Sequence, residues 1–213
     1  MMKQNKGKAV VSSLLTILPI GFGIAVWDKL PDPMPMHWGV NGEVDGYGSR
    51  ALAVLALPLV LLAFQWLCLF ITSHDPKNKG QNAKAKDLVW WLMPYVSLFV
   101  NGLMYTAALG YTVNASTWGA VFMGLLFVII GNYMPKCKQN HTIGIKIAWT
   151  LNDEENWNAT HRLAGKVWVA GGLLILVCGF LPGNVGLIVM LAATLAMVLI
   201  PFIYSYRYYK NHQ

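Results

Sequence analysis

The sequence predicts an all-α integral membrane protein with six transmembrane helices and both termini on the cytoplasmic side. Three observations lead there. Of 213 residues, 56% are hydrophobic and only 12% are charged, about half the charge of an ordinary soluble domain. Six apolar stretches are each long enough to cross a hydrocarbon core about 30 Å thick, which takes ~20 helical residues. Fourteen of the sixteen Lys and Arg fall on one side of the resulting topology, the asymmetry that places those segments in the cytoplasm. Such a composition excludes a disordered chain and argues against a cytosolic enzyme.

The stretches are 9–27, 51–72, 88–112, 115–134, 163–181 and 185–206. The first follows Lys3, Lys6 and Lys8. It reads as a retained helix, because its apolar run exceeds the ~7–15 residues of a signal-peptide core and no small-residue cleavage site follows. Pro58, Pro94 and Pro201 lie inside stretches and are expected to kink helices rather than end them. The one charge inside the stretches is Lys166, in a first turn from which it can snorkel to the interface. Trp27, Trp90, Trp91, Trp118 and the tyrosines 204, 206, 208 and 209 fall near helix ends, as in an interfacial aromatic belt. Trp66 is mid-span and is expected to pack between helices.

The remaining cytoplasmic cations are Lys77, Lys79, Lys84 and Lys86, then Lys136, Lys138, Lys146 and Arg162, then Arg207 and Lys210; the other side carries only Lys29 and Arg50. The net charge of +7 is thus a matter of topology and calls for no direct nucleic-acid binding. The chain divides into 1–72, with two spans and an outer loop at 28–50; 73–112, with a basic inner loop and the third span; and 113–213, with three spans and an inner loop at 135–162.

The spans lack the mid-membrane carboxylates, histidines or arginines of proton-coupled transporters. Their polar residues include Gln65 and Asn101, expected to hydrogen-bond neighbouring helices. A small-solute permease or efflux component, with Asn101 and Gln65 shaping a polar path, is the alternative reading. Gly179-x-x-x-Gly183 and Ala192-x-x-x-Ala196 are small-residue patterns that permit close helix packing. No nucleophile elbow, zinc-protease helix or phosphate loop appears, so no enzyme is expected. Cys68, Cys137 and Cys178 offer no extracellular pair for a disulfide. No metal site or cofactor is expected.

Two loops are informative. In the outer one Pro31, Pro33 and Pro35 favour an extended start, and Asn41-Gly42 and Asp45-Gly46 are turn dipeptides. His37, Glu43 and Asp45 are metal-ligand types, but in this pattern the acids read as turn caps. Gly42, Gly46 and Gly48 are expected to supply backbone angles open to glycine, Asn41 and Asp45 to hydrogen-bond within the turns, and His37, Trp38 and Tyr47 to present a contact surface. In the inner loop Ile143, Ile145, Ile147, Trp149 and Leu151 alternate with Thr142, Gly144, Lys146, Ala148 and Thr150, a period of 2 that predicts an ordered extended segment with one apolar face. Asn152, with Glu155 three residues on, is the expected cap of the next helix. On that helix Trp157, His161, Ala164 and Trp168 share a face.

These residues carry a resemblance. Pro35-Met36-His37-Trp38 followed by Asn41-Gly42-Glu43-Val44-Asp45-Gly46-Tyr47-Gly48-Ser49 resembles the N-terminal part of SdpI-type immunity proteins. A second signature of that family resembles Gly131-Asn132-Tyr133-Met134-Pro135-Lys136, Asn140, Gly144-Ile145, Trp149-Thr150-Leu151, Trp157, and Thr160-His161-Arg162-Leu163 with Gly165-Lys166. The resemblance runs over nearly the whole chain, with the motifs in order. It implies a bacterial plasma-membrane protein that protects its producer against a secreted toxic peptide. For some members it also implies a receptor that holds a small DNA-binding repressor at the membrane. On this reading the outer loop is the recognition element and the inner loop, with Lys136, Lys138 and Lys146, is the docking surface.

Overall fold

The computed structural model describes residues 5–212; Lys3 lies outside them. Six helices are long and apolar enough to cross a membrane: Lys6–Ala25, Leu52–His74, Ala83–Ala108, Ala115–Lys136, Glu154–Cys178 and Gly183–Asn211. The chain is a multi-pass helical membrane protein. The fifth helix starts well before its apolar stretch because a polar, well-capped segment precedes it. The cap is Asp153, not Asn152: its carboxylate accepts from the backbone N–H of Glu155 at 2.8 Å and of Asn156 at 3.1 Å. Asn152 is instead the last residue of a separate short helical turn. That leaves Asp153 in the extended cap conformation, with its charge at the positive end of the helix dipole.

The elements are α1 (Lys6–Ala25), β1 (Met34–Trp38), β2 (Val44–Gly48), α2 (Leu57–His74), α3 (Ala83–Ala108), α4 (Ala115–Tyr133), α5 (Ala148–Asn152), α6 (Glu154–Cys178) and α7 (Gly183–Asn211). A π turn, Leu52–Ala56, leads into α2, with the Leu57 N–H reaching the Leu52 carbonyl. It lies beside Pro58, which supplies no N–H and so breaks the regular ladder.

The chain forms two compact units, one of Met1–Ser73 with Val89–Trp118 and one of His74–Leu88 with Gly119–Gln213. In the first, α1, α2 and most of α3 are joined by a buried polar lattice. Gln65 donates to Ser12 Oγ at 2.8 Å and accepts from Thr16 Oγ1. Ser97 Oγ donates to the Thr16 carbonyl at 2.7 Å, and Tyr105 OH to the Pro19 carbonyl at 2.9 Å. In hydrocarbon no water competes for these groups, so each must find a protein partner. Above the lattice, a cluster of Leu30, Met34, Ala53, Val54, Met104 and Tyr105 forms the apolar core.

In the second unit, α4 meets α6 through glycines. A β-carbon at Gly172 would fall 2.7 Å from the Gly124 carbonyl oxygen, and one at Gly165 would fall 2.8 Å from that of Gly131. The two contacts repeat at a seven-residue interval, about two helical turns, and let the backbones touch. The Gly179-x-x-x-Gly183 pattern makes no such stripe, because Gly179 caps α6 while Gly183 opens α7. The α6–α7 pair is tied by Asn156, Thr160 and Ser205. Asn156 donates to the Ser205 carbonyl at 3.0 Å, and both hydroxyls donate to its Oδ1 at 2.9 Å. Trp168 Nε1 donates to the Met197 carbonyl at 2.9 Å.

Candidate functional site

The outer loop folds as a β-hairpin, an addition to the all-helical expectation. β1 and β2 pair antiparallel, with Met34 opposite Gly48, Pro35 opposite Tyr47, His37 opposite Gly46 and Trp38 opposite Val44, and with irregular register around His37. The side-chain alternation of strands sorts the residues. Met34 is buried, and Met36 and Trp38 pack against the apolar core. His37, Asn41, Glu43, Asp45 and Tyr47 are exposed. Trp38 is therefore an anchor more than a contact residue, and Pro35 is buried.

Of the four hairpin glycines, at 39, 42, 46 and 48, only Gly42 takes a left-handed conformation, at φ +81°. Gly46 and Gly48 are small for packing reasons: a β-carbon would come 2.8 Å from His37 Cβ at the first and 2.4 Å from Met36 Sδ at the second. The expected special angles at 46 and 48 are thus replaced by cross-strand contact. The turn is closed by Gly39 N–H to the Glu43 carbonyl at 2.9 Å and by Asn41, whose Oδ1 accepts from Glu43 N–H at 3.2 Å and whose Nδ2 donates to Glu43 Oε2 at 2.8 Å. Asp45 bonds across the strands, to His37 Nδ1. The tip is pinned by Ser116 Oγ donating to the Val40 carbonyl at 3.1 Å. The base is closed by Arg50, which donates to the Trp27 carbonyl at 2.8 Å and lies over the Trp27 ring. The result is a hairpin held at tip and base that shows an imidazole, carboxylates and a phenol on its exposed side.

The inner loop is ordered. Ile143, Ile145 and Ile147 are half-buried while Gly144 and Lys146 are exposed, the alternation expected of an extended segment. It ends sooner than the sequence pattern, because Ala148–Asn152 winds into α5. There Thr150 is buried and its Oγ1 donates to the Ile145 carbonyl at 2.8 Å. Trp149 lies against Phe202, Tyr206 and Tyr209 of α7. Asn140 is fully buried. It donates to the Lys138 and Ile143 carbonyls, both at 2.8 Å, and accepts from Thr142 N–H at 2.8 Å and Ile143 N–H at 2.6 Å.

Beneath the loop sit Trp157 and His161, their rings stacked at 4.0 Å. Trp157 Nε1 donates to the Cys137 carbonyl at 2.8 Å. His161 Nε2 accepts from Ile145 N–H at 2.9 Å, which leaves Nδ1 as the donor to the Trp157 carbonyl at 2.8 Å. That hydrogen-bond pattern defines one neutral tautomer. Gly131 and Gly165 lie where α4 meets α6, and Leu151 is half-buried with its carbonyl held by Gln139 Nε2 at 3.0 Å. Asn132 and Arg162 are exposed and stand outside this cluster, and Lys146 is exposed with its ammonium on the Thr142 carbonyl at 3.2 Å.

Sequence reasoning missed the partners that staple the loop. Asp75, 7% exposed, accepts from His141 N–H at 2.8 Å and Thr142 Oγ1 at 3.1 Å. Gln81 pairs with Lys138 through both backbone groups at 2.9 Å. The available signal was Asp75-Pro76, a cap before a turn, in an otherwise basic segment. Cys137 is 6% exposed, and burial pushes its thiol up to about 11.

Residues 136–205 match the SdpI/YfhL protein family, and residues 14–62 match a domain of unknown function, DUF1648. The first segment holds most of the inner loop with α6 and much of α7; the second holds most of α1, the hairpin and the start of α2. The chain is 29% identical over 205 residues to the immunity protein SdpI of Bacillus subtilis strain 168, a similarity covering 96% of this chain and 97% of that one. No solved structure matches it. One match surrounds the hairpin, the other the folded inner loop, and the similarity to the immunity protein SdpI runs nearly end to end.

Proposed function

We propose that the protein is an immunity protein of the bacterial plasma membrane, which protects its producer against a secreted toxic peptide. The observation that carries this reading is the near end-to-end similarity to a protein named for immunity. The hairpin supports it: a rigid element with His37, Asp45 and Tyr47 exposed is a surface for meeting a peptide. On this reading the termini and the 135–162 loop are cytoplasmic and the hairpin is outside, in keeping with the basic asymmetry. The test is survival of a toxin-sensitive strain, carrying or lacking the gene, in the cell-free supernatant of a producing strain. Equal killing of both strains would overturn the reading.

A second role, recruitment of a small DNA-binding repressor, is favoured by the order of the inner loop, which presents Lys136, Lys138 and Lys146 exposed on a fixed frame. Charge reversal at the three should abolish reporter induction and leave protection intact. The permease alternative loses one of its two polar residues, since Gln65 engages both ends of its amide. Solute flux in reconstituted vesicles separates the two readings.

A further inference from the structure

Where the inner loop of the second unit meets its helices lies a cavity of about 200 Å³, walled by Leu88, Ile130, Tyr133, Cys137, Ile145 and Trp168 among others. Leu88, Ile130 and Trp168 belong to helices long and apolar enough to span a bilayer, whereas Cys137 and Ile145 belong to the loop. The cavity therefore sits where hydrocarbon gives way to headgroups. It is smaller than the ~300–1,000 Å³ that takes in a whole small ligand. No carboxylate, amide or ammonium stands among the wall side chains, and Trp168 already spends its N–H on the Met197 carbonyl. A space so lined offers water few partners and suits a segment of hydrocarbon.

This apolar wall is bordered by cations. The Lys136 ammonium lies 5.1 Å from the centre of the Tyr133 ring, and that ring is part of the wall. Lys84 and Lys86 flank the wall residue Ala85, Lys138 follows Cys137 and Lys146 follows Ile145. Among the described residues none of these five lysines pairs with a carboxylate. The segments 74–88 and 134–147 together hold seven lysines against two aspartates, and one of the two, Asp75, is committed to His141 and Thr142. Uncompensated positive charge beside a hydrocarbon-lined cavity matches a ligand with an apolar tail and an anionic head.

We propose that this cavity is a site for an anionic phospholipid of the inner leaflet. One acyl chain enters between the loop and the helices, and the phosphate is held by Lys136 together with the lysines beside Ala85 and Cys137. Basic pockets at the cytoplasmic ends of membrane helices collect such headgroups. A zwitterionic lipid leaves the excess of cations uncompensated, and a free phosphate ester leaves the cavity empty. The proposal takes the loop to be cytoplasmic, in keeping with the basic asymmetry, and does not depend on the immunity reading. Because Ile143, Gly144 and Ile145 are wall residues, a lipid in the cavity also holds the loop against the helices.

The test uses the full chain purified in detergent. Dioleoyl phosphatidylglycerol and dioleoyl phosphatidylcholine are offered together, and native mass spectrometry counts what stays bound. One phosphatidylglycerol should be retained and phosphatidylcholine lost. Lys136 is exposed, so Lys136→Gln should leave the fold intact and weaken retention roughly fivefold, the effect of one basic residue at an anionic surface. Lys210 lies over Tyr206 of α7, outside the cavity wall, and Lys210→Gln should retain the lipid as the parent does. Equal retention of the two lipids, undiminished retention by Lys136→Gln, or an equal loss in both variants would overturn the proposal. Proteolysis of the unaltered chain gives the second readout. Phosphatidylglycerol should slow cleavage within 140–152 severalfold, and phosphatidylcholine or glycerol 3-phosphate should not. Slowing by glycerol 3-phosphate would assign the lysines to free phosphate esters, and unchanged cleavage with phosphatidylglycerol would leave no chain beneath the loop; either result overturns the proposal.

Discussion

Gly144 lies against His161: a β-carbon at position 144 would fall 2.5 Å from Nε2, and the Trp157 ring closes the same space at 3.0 Å. Gly144 also has φ +119°, a conformation that side-chain-bearing residues rarely adopt. The inner loop can reach the buried ring pair only because this residue has no side chain. Gly144→Ala should therefore lift the loop off His161, at a cost of about 1–3 kcal/mol in backbone strain alone. The check is limited proteolysis of the purified protein, with cleavage within 140–152 expected to accelerate. Unchanged proteolysis would show that the loop does not depend on this contact.

The burial of Cys137 changes how the topology is tested. At pH 8 a thiol titrating near 11 is ionised in roughly one molecule in a thousand, and the sulfur is also covered. Cys137 should therefore resist a maleimide in permeabilised cells as in intact ones, and react only on unfolding. Single cysteines at exposed positions are the usable probes. Asn41→Cys should label in intact cells, and Lys146→Cys only after permeabilisation. The reverse pattern would invert the orientation.

Gly172 faces backbone, not a flexible side chain, with the Gly124 carbonyl oxygen at 2.7 Å and Val128 N at 2.8 Å from its notional β-carbon. Gly172→Val must push α4 from α6 and should destabilise by about 1–3 kcal/mol, the usual range for overpacking. Gly119→Ala, where a β-carbon meets nothing within 4 Å, is the control and should be neutral. The readout is thermal stability in detergent. Equal stability of the two variants would argue that the seam is not tight.

The helices were legible in the sequence because bilayer thickness turns apolar run length into a direct signal. The hairpin was not, although Met34, Met36 and Trp38 alternate cleanly with Pro35 and His37. Pro35 lacks a ladder N–H and counts against a strand, and the glycines at 46 and 48 mimic turn residues while serving as flat contact for His37 and Met36. The α4–α6 seam escaped for a different reason. Its glycines pair across two helices, 124 with 172 and 131 with 165, so no spacing within one helix reveals the partner. The stapling role of Asp75 and Gln81 is likewise a property of two segments brought together. The alternation in 143–147 was readable because one face of that segment is half-buried, and it stops where Thr150 folds back on the Ile145 carbonyl.

The hairpin sorts its residues into those that hold it and those that it shows, and the two sets should fail differently. Gly42→Val places a β-branched side chain at φ +81° and beside Ser116 Oγ. Trp38→Ala empties part of the apolar core. Both should lower abundance in the membrane or stability in detergent, and protection should fall in proportion. His37 and Tyr47 are exposed and contribute little to the core. His37→Ala and Tyr47→Ala should therefore leave abundance and stability within ~0.5 kcal/mol of the parent, as is usual for surface changes, while protection falls severalfold. Asp45→Asn tests the bond across the two strands within the exposed set, because it keeps the shape and removes the carboxylate that meets His37 Nδ1. It should behave like His37→Ala if the pair is displayed as a unit. Protection that tracks abundance across all five variants would mean that the exposed face contacts no ligand and that the hairpin acts only as a cover on the helices below it.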